Sequence, residues 1–282
     1  MAFPFKGAVC AVTGAGGGIG RALALDLAAR GAQLALTDRD AQTLAGTAAA
    51  CRAAGADVSE HVFDMADAAA IAHLPEAVIA RHGHVDLLVN NAGVALAGDF
   101  AQIGLEDFEW LMAINFYGPV RMCKAFLPHL MARPRAHIAN VSSLFGLIAP
   151  PGQTAYCAAK YGLRGFSESL RHELEESRVG LTVVHPGGVR TDIARSARMP
   201  AGVNSSELEE RMKKFDTFLS IPPAIAAKAI LDGVSRGAPR VLIGPDARRG
   251  DILQRLMPGA YWKVMKRGLE RKMAQAASGG GQ

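Results

Sequence analysis

Val9-Cys10-Ala11-Val12-Thr13-Gly14-Ala15-Gly16-Gly17-Gly18-Ile19-Gly20 runs from an apolar stretch into a glycine-rich turn and on into a helical pattern. With Ala8 before it, the apolar part predicts a strand over Ala8–Thr13. It lacks polar alternation, as strands buried on both faces do. Glycines at that point let the backbone turn tightly and approach a pyrophosphate, and the following helix offers free N–H groups and a favourable dipole. The spacing is Gly14-x-x-x-Gly18-x-Gly20, not G-x-G-x-x-G. A glycine-rich stretch can be only a turn, but a position between strand and helix points to a dinucleotide.

The same alternation continues outward. Further strands are predicted at Gln33–Thr37, Val58–Phe63, Val85–Asn90, Ala136–Val141, Leu181–His185 and Arg240–Ile243. Helical patterns fill the intervals at Ile19–Arg30, Ala41–Ala54, Ala68–His82, Leu105–Met131, Ala155–Ser177 and Pro223–Arg236. Strand–helix alternation of this kind predicts an α/β fold, a single doubly wound Rossmann-type domain with a parallel seven-stranded sheet and helices on both faces. That domain is expected over 1–245. Residues 187–222 break the rhythm with Pro200, Gly202 and a polar helix-like stretch at Ser205–Phe218, which suits a lid over a site.

Polar residues gather where the predicted strands end, which is where open parallel sheets bind ligands. Asp38 closes the second strand and can accept both hydroxyls of an adenine ribose while repelling a 2′-phosphate. Arg39 pulls the other way, and Gly17 offers no basic side chain to help it. NAD(H) is therefore expected as cofactor, with NADP(H) the alternative. Asp64 follows the third strand, and Asn90-Asn91-Ala92-Gly93 follows the fourth.

Tyr156 and Lys160 are four residues apart and share one face of a predicted helix. A phenol titrates near ~10, and an ammonium one turn away would favour its anion. That pair predicts a tyrosine poised as general acid or base.

With these residues in view, the chain resembles a classical short-chain dehydrogenase/reductase over about two-thirds of its length. The glycine turn, Asn90-Asn91-Ala92-Gly93, Asn115, Asn140-Val141-Ser142-Ser143, Tyr156 with Lys160, and Pro186-Gly187-Gly188-Val189-Arg190-Thr191 come in the family's order. The resemblance implies Tyr156 as catalytic acid/base, with Lys160 lowering its pKa and holding the nicotinamide ribose. It implies Ser143 on the substrate oxygen and Asn115 in a water-linked proton relay ending at Lys160. Ser142 competes with Ser143, and the family's serine-to-tyrosine interval selects Ser143. The cofactor residues it implies are Gly14, Gly18, Ile19, Gly20, Asp38, Arg39, Asp64, Met65, Asn91, Ala92 and Gly93, then Tyr156, Lys160, Val189 and Thr191. Val189 backbone and the Thr191 hydroxyl would hold the carboxamide. Ala159 stands where many relatives have Ser, without consequence for the chemistry.

Hydride transfer to a carbonyl develops negative charge on oxygen, which needs a hydrogen-bond donor and a proton source in place. No metal is needed, and His129, His137, His172 and His185 lack ligand spacing. Leu144, Phe145, Leu147 and Ile148, beside Val94 and Leu96, favour a lipophilic secondary alcohol or ketone, although Arg190, Arg195 or Arg198 could anchor a carboxylate. The rival readings are an NADPH-dependent carbonyl or 3-oxoacyl reductase and a non-catalytic dinucleotide sensor. A homodimer or homotetramer is implied by the resemblance.

The net charge is +5, concentrated after Gly244 in Arg248, Arg249, Arg255, Lys263, Lys266, Arg267, Arg271 and Lys272. The body is close to neutral, which gives nucleic-acid binding little support. No apolar run reaches the roughly eighteen residues of a membrane span. Four cysteines without CxxC spacing suggest reduced thiols in the cytoplasm. A basic amphipathic helical extension is expected over 246–275 and a disordered tail over 276–282. The extension could pack on the body or a neighbouring subunit, cover the substrate entrance, or contact an anionic membrane.

Overall fold

The computed structural model describes residues 2–193, 195–199 and 219–268. Seven parallel strands form one sheet in the order β3-β2-β1-β4-β5-β6-β7. They are β1 Val9–Thr13, β2 Gln33–Asp38, β3 Val58–Val62, β4 Leu87–Asn90, β5 Ala136–Val141, β6 Val179–Pro186 and β7 Arg240–Ile243. The helices are α1 Gly18–Ala29, α2 Ala41–Ala53, α3 Ala68–His82, α4 Leu105–Met112, α5 Gly118–Met131, α6 Thr154–Glu173, α7 Pro223–Ser235 and α8 Pro245–Leu256. The chain is helical again over 261–268. The doubly wound Rossmann-type architecture expected from the alternation is present; the polar stretch Ser205–Phe218 and the tail after 268 lie outside the described residues.

Strand side chains alternate between two faces, so each face needs its own helical cover. On β1, Cys10 and Val12 pack with Leu23, Leu27, Leu44 and Ile230 from α1, α2 and α7. Val9 and Ala11 point the other way, into a cluster with Ile71, Val78, Phe126 and Leu170 from α3, α5 and α6. Two loop aspartates start helices: Asp40 accepts the Gln42 and Thr43 N–H groups and Asp67 those of Ala69 and Ala70. Each such cap stabilises its helix by about 1 kcal/mol. β2 lies on one side of β1 and β4 on the other, so the strand order reverses there and a crevice opens at the strands' carboxyl ends.

One predicted helix is broken. The expected continuous Leu105–Met131 helix is interrupted by a π-helical turn at Ala113–Tyr117. Pro119, just past the turn, has no N–H to return to the helix, and a side-chain tie adds to the break. Asn115 accepts the Val94 N–H at 2.8 Å and donates to the Val94 carbonyl at 2.8 Å, tying the helix to the loop after β4. Such bulges occur mostly at functional sites.

Candidate active site

Thr13, at the end of β1, is buried, and its hydroxyl oxygen accepts the N–H groups of Asn91 and Ala92, both at 3.0 Å. Asn91 returns the tie, its amide donating to the carbonyls of Thr13 and Gly14 at 3.0 and 3.3 Å. The ends of β1 and β4 are thereby locked together around the glycine turn. A Cβ on Gly20 would overlap the Gly14 carbonyl, and one on Gly14 would come within 2.8 Å of Ala92 Cα. Gly18 adopts φ +51° and lies beside the Thr191 side chain. Gly17 has open space around its Cα. The turn is a tight backbone cradle at the start of α1, with its open side toward solvent, which fits a pyrophosphate.

Asp38 sits at the rim of this cradle. Its carboxylate accepts the Gly16 N–H at 2.8 Å and the Asp40 N–H at 3.1 Å, which fixes its orientation at the end of β2. Arg39 is exposed beside it. Asp64 accepts the Ala66 N–H at 2.8 Å, and buried Met65 packs under Gly118. Gly93 lies where a Cβ would meet Asn115 Oδ1 at 3.4 Å and Lys160 Nζ at 3.6 Å, so the loop after β4, the π-turn and α6 converge on one point.

α6 delivers Tyr156 and Lys160. Lys160 is 3% exposed, and its ammonium donates to the Val141 carbonyl at 3.0 Å. The two serines separate clearly. Ser142 is buried and its hydroxyl donates to the Lys160 carbonyl at 2.9 Å, which commits it to holding α6 against β5. Ser143 is only partly buried, accepts the Phe145 N–H at 3.1 Å, and its hydroxyl acts on the Tyr156 phenol, pulling its pKa down. Ser143 and Tyr156 thus present two hydroxyls together at the carboxyl end of β5. Tyr156 packs against a small apolar cluster of Leu96, Leu111, Ala155 and Ala159 that Val94, Trp110 and Phe116 also join, and the Phe145 ring meets the phenol edge-on at 6.2 Å.

A family model for the short chain dehydrogenases matches residues 8–201. The chain belongs to the short-chain dehydrogenase family. A Mycobacterium tuberculosis protein bearing the oxidoreductase name SadH is 43% identical over 270 residues, covering 95% of this chain and 97% of the relative. The crystal structure of a short chain dehydrogenase/reductase from Burkholderia phymatum in complex with NAD superposes with a TM-score of 0.85 at 28% identity, covering 90% of this chain and 95% of that one. A metagenomic short-chain oxidoreductase in complex with NADP gives a TM-score of 0.70 at 32% identity, covering 84% and 97%.

In this short-chain dehydrogenase the electrostatics of the Tyr156–Lys160 pair differ from the sequence expectation. Burial pushes the Tyr156 phenol up to about 12, with the Ser143 hydrogen bond pulling it partly back. Lys160 makes a cation–π contact with the phenol ring. The ammonium lies 5.6 Å from the centre of the phenol ring and is engaged by the Val141 carbonyl. Burial pushes Lys160 down to about 8. Helical spacing put the two side chains on one face but not the ammonium at the hydroxyl.

Other residues also acquired definite places. His185, fully buried, sits 2.9 Å through Nδ1 from the Ser143 carbonyl, and burial lowers its pKa to about 4. A neutral ring donating to that carbonyl steadies the backbone that carries the serine. Arg198 pairs with nearly buried Asp107 at 2.9 Å and lies over the Trp110 ring, so that cation is already neutralised. Its backbone bonds to Ala95 and Ala97, stitching the connection after β6 to the loop after β4. Among the described residues no group of three or more His, Cys, Asp or Glu could hold a metal, and no helix is long and apolar enough to cross a membrane.

The extension packs on the body as far as Tyr261. Gly250 of α8 leaves room for Leu144 and Ile148, and the Ala149 N–H donates to the Tyr261 hydroxyl at 2.9 Å. Sequence reasoning passed over Thr13 and Asp246. Thr13 closes a strand that the glycine turn already marked, and Asp246 gives no local signal.

Proposed function

We propose that the chain is a nicotinamide-dinucleotide-dependent oxidoreductase that interconverts a lipophilic secondary alcohol and its ketone, with NAD(H) preferred. The observation that carries this reading is the pairing of the Ser143 and Tyr156 hydroxyls inside an apolar cluster, beside buried Lys160. A dinucleotide sensor has no use for two hydroxyls set to serve one oxygen.

The glycine cradle, Asp38, Asn91 to Gly93, Lys160, Val189 and Thr191 would hold the cofactor. Asp38, fixed at the end of β2 by the Gly16 and Asp40 N–H groups beside the glycine cradle, supports NAD(H). When bound, the nicotinamide supplies or accepts the hydride. The chain's own task is to hold the substrate oxygen and move its proton. Ser143 Oγ donates to that oxygen and the Tyr156 hydroxyl gives it a proton during reduction; in oxidation the proton returns to the tyrosine. A phenol pushed up to about 12 is stored protonated, ready as a donor. Leu144, Phe145, Val94 and Leu96 exclude water and select an apolar substrate, and the neutralised Arg198 offers no anchor for a carboxylate.

Assembly through the helices carrying Asn115 and Tyr156, as a homodimer or homotetramer, belongs to the same reading. So does contact of the extension with an anionic membrane: exposed Ile252, Leu256, Met257 and Val264 lie among Arg248, Arg249 and Lys263. Salt-sensitive sedimentation with anionic vesicles tests that contact.

A panel of alcohols and ketones, assayed with each cofactor at the nicotinamide absorbance band, tests the main reading. Tyr156→Phe should lower turnover by at least about a hundredfold while NADH still binds. Near-normal turnover in that variant would remove Tyr156 from the mechanism.

A further inference from the structure

We propose that Asp246, in the first turn of α8, is a positioning residue that sets the turn holding the nicotinamide end of the cofactor. The inference rests on the dinucleotide-dependent reading given above.

The turn Pro186-Gly187-Gly188 leaves β6 and leads to Val189 and Thr191. Two consecutive glycines have more backbone freedom than any other pair, so a turn built from them keeps one shape only if its surroundings impose it. Three backbone ties do part of this. Gly187 N–H donates to the Ile243 carbonyl at 2.9 Å, and the Gly188 carbonyl accepts from Ser220 and Ile221 at 2.9 and 3.0 Å. The Gly188 N–H is served by a side chain instead: it donates to Asp246 Oδ2 at 2.7 Å.

That carboxylate occupies a slot that only glycine leaves open. A Cβ on Gly187 would overlap both Asp246 oxygens, and one on Gly244 would overlap Oδ1. Oδ1 is buried and makes no hydrogen bond among the described residues. Asp246 lies in the first turn of α8, where a carboxylate also suits the helix N-terminus. What it supplies is a short, charge-assisted bond to the N–H immediately before Val189. Through Asp246, a helix that belongs to the extension governs the conformation of a cofactor turn 58 positions earlier in the chain.

Calorimetric titration of the full-length chain with NADH, and separately with ADP-ribose, tests this. ADP-ribose lacks the nicotinamide, so it does not reach the turn. Asp246→Ala should weaken NADH about tenfold and leave ADP-ribose unchanged. Asp246→Asn, which keeps an oxygen acceptor, should restore most of the NADH affinity. If Asp246→Ala does not fold, Gly187→Ala drives a methyl group into the carboxylate and should show the same split. Equal weakening of both ligands, or of neither, would overturn the proposal. Wild-type chain that binds NADH no better than ADP-ribose would instead overturn the dinucleotide-dependent reading, and the Asp246 inference with it.

Discussion

Acidification should unfold this protein through two deeply buried histidines. His137, on β5, is 3% exposed with Nε2 2.8 Å from the Thr182 hydroxyl, and burial lowers its pKa to about 4. His185 is likewise lowered to about 4. Both folded values lie below the unfolded value of 6.5, so the unfolded chain takes up the protons first. The stability these sites allow is complete above pH 6.5 and is lost as pH falls toward 4. At pH 5, unfolded histidine is almost fully protonated while each folded site is mostly neutral, which costs about 2 kcal/mol per site. Two such sites give about 4 kcal/mol, a large share of the roughly 5–15 kcal/mol that holds a domain together. Urea unfolding at intervals from pH 7.5 to 4.5 reads this loss. A His137→Gln/His185→Gln variant should lose about 4 kcal/mol less than wild type between pH 7 and pH 5, whatever its starting stability. Carboxylate titration is common to both proteins and cancels. Parallel curves for the two proteins, or imidazole signals of the folded wild type titrating near 6.5 by NMR, would refute the reasoning.

The cofactor cradle gives a paired test. Gly20→Ala puts a methyl group against the Gly14 carbonyl and should weaken NADH binding by more than about tenfold, whereas Gly17→Ala, with open space at that position, should bind normally; equal behaviour would dismiss the cradle. Asp38→Ala should narrow the preference for NAD over NADP by about tenfold in kcat/KM, and an unchanged ratio would mean the ribose is read elsewhere. Because burial lowers Lys160 to about 8, its charge is lost as pH rises through that value, so kcat/KM for NADH should fall with a midpoint near pH 8. Lys160→Arg should abolish that limb, since a guanidinium stays charged; a limb that survives in the variant belongs to another group.

The parts of this protein legible in its sequence are those written in consecutive residues. The glycine turn is one, because strand, turn and helix N-terminus follow each other within Val9–Gly20. Most of the strands are another, because a strand buried on both faces is largely apolar whatever lies beside it; the edge strand β3, with Ser59, Glu60 and His61, is the exception. Contacts between distant segments were not legible. Gly118-Pro119 does mark a break between 105 and 131, but the tie of Asn115 to Val94 in another loop gives no local signal. Ser142 and Ser143 were distinguished only by an interval borrowed from relatives; in the fold the distinction is physical, one hydroxyl spent on the Lys160 carbonyl and the other left to Tyr156.

Tyr156 and Lys160 show the same limit from the other side. Helical spacing fixes where two side chains start, but Lys160 spans several bonds, and its ammonium goes to the Val141 carbonyl. Whatever lowers the phenol during turnover must therefore act on a geometry that the spacing alone does not supply. Asp246 is the extreme case, since no local pattern ties it to Gly188. The extension after Gly244 reads as an appendage, yet its first turn holds the Gly187-Gly188 turn and its next segment reaches the serine–tyrosine loop through Tyr261. A segment with both attachments is part of the site's framework. Its removal should therefore disturb cofactor and substrate binding together, which loss of a peripheral anchor would not do.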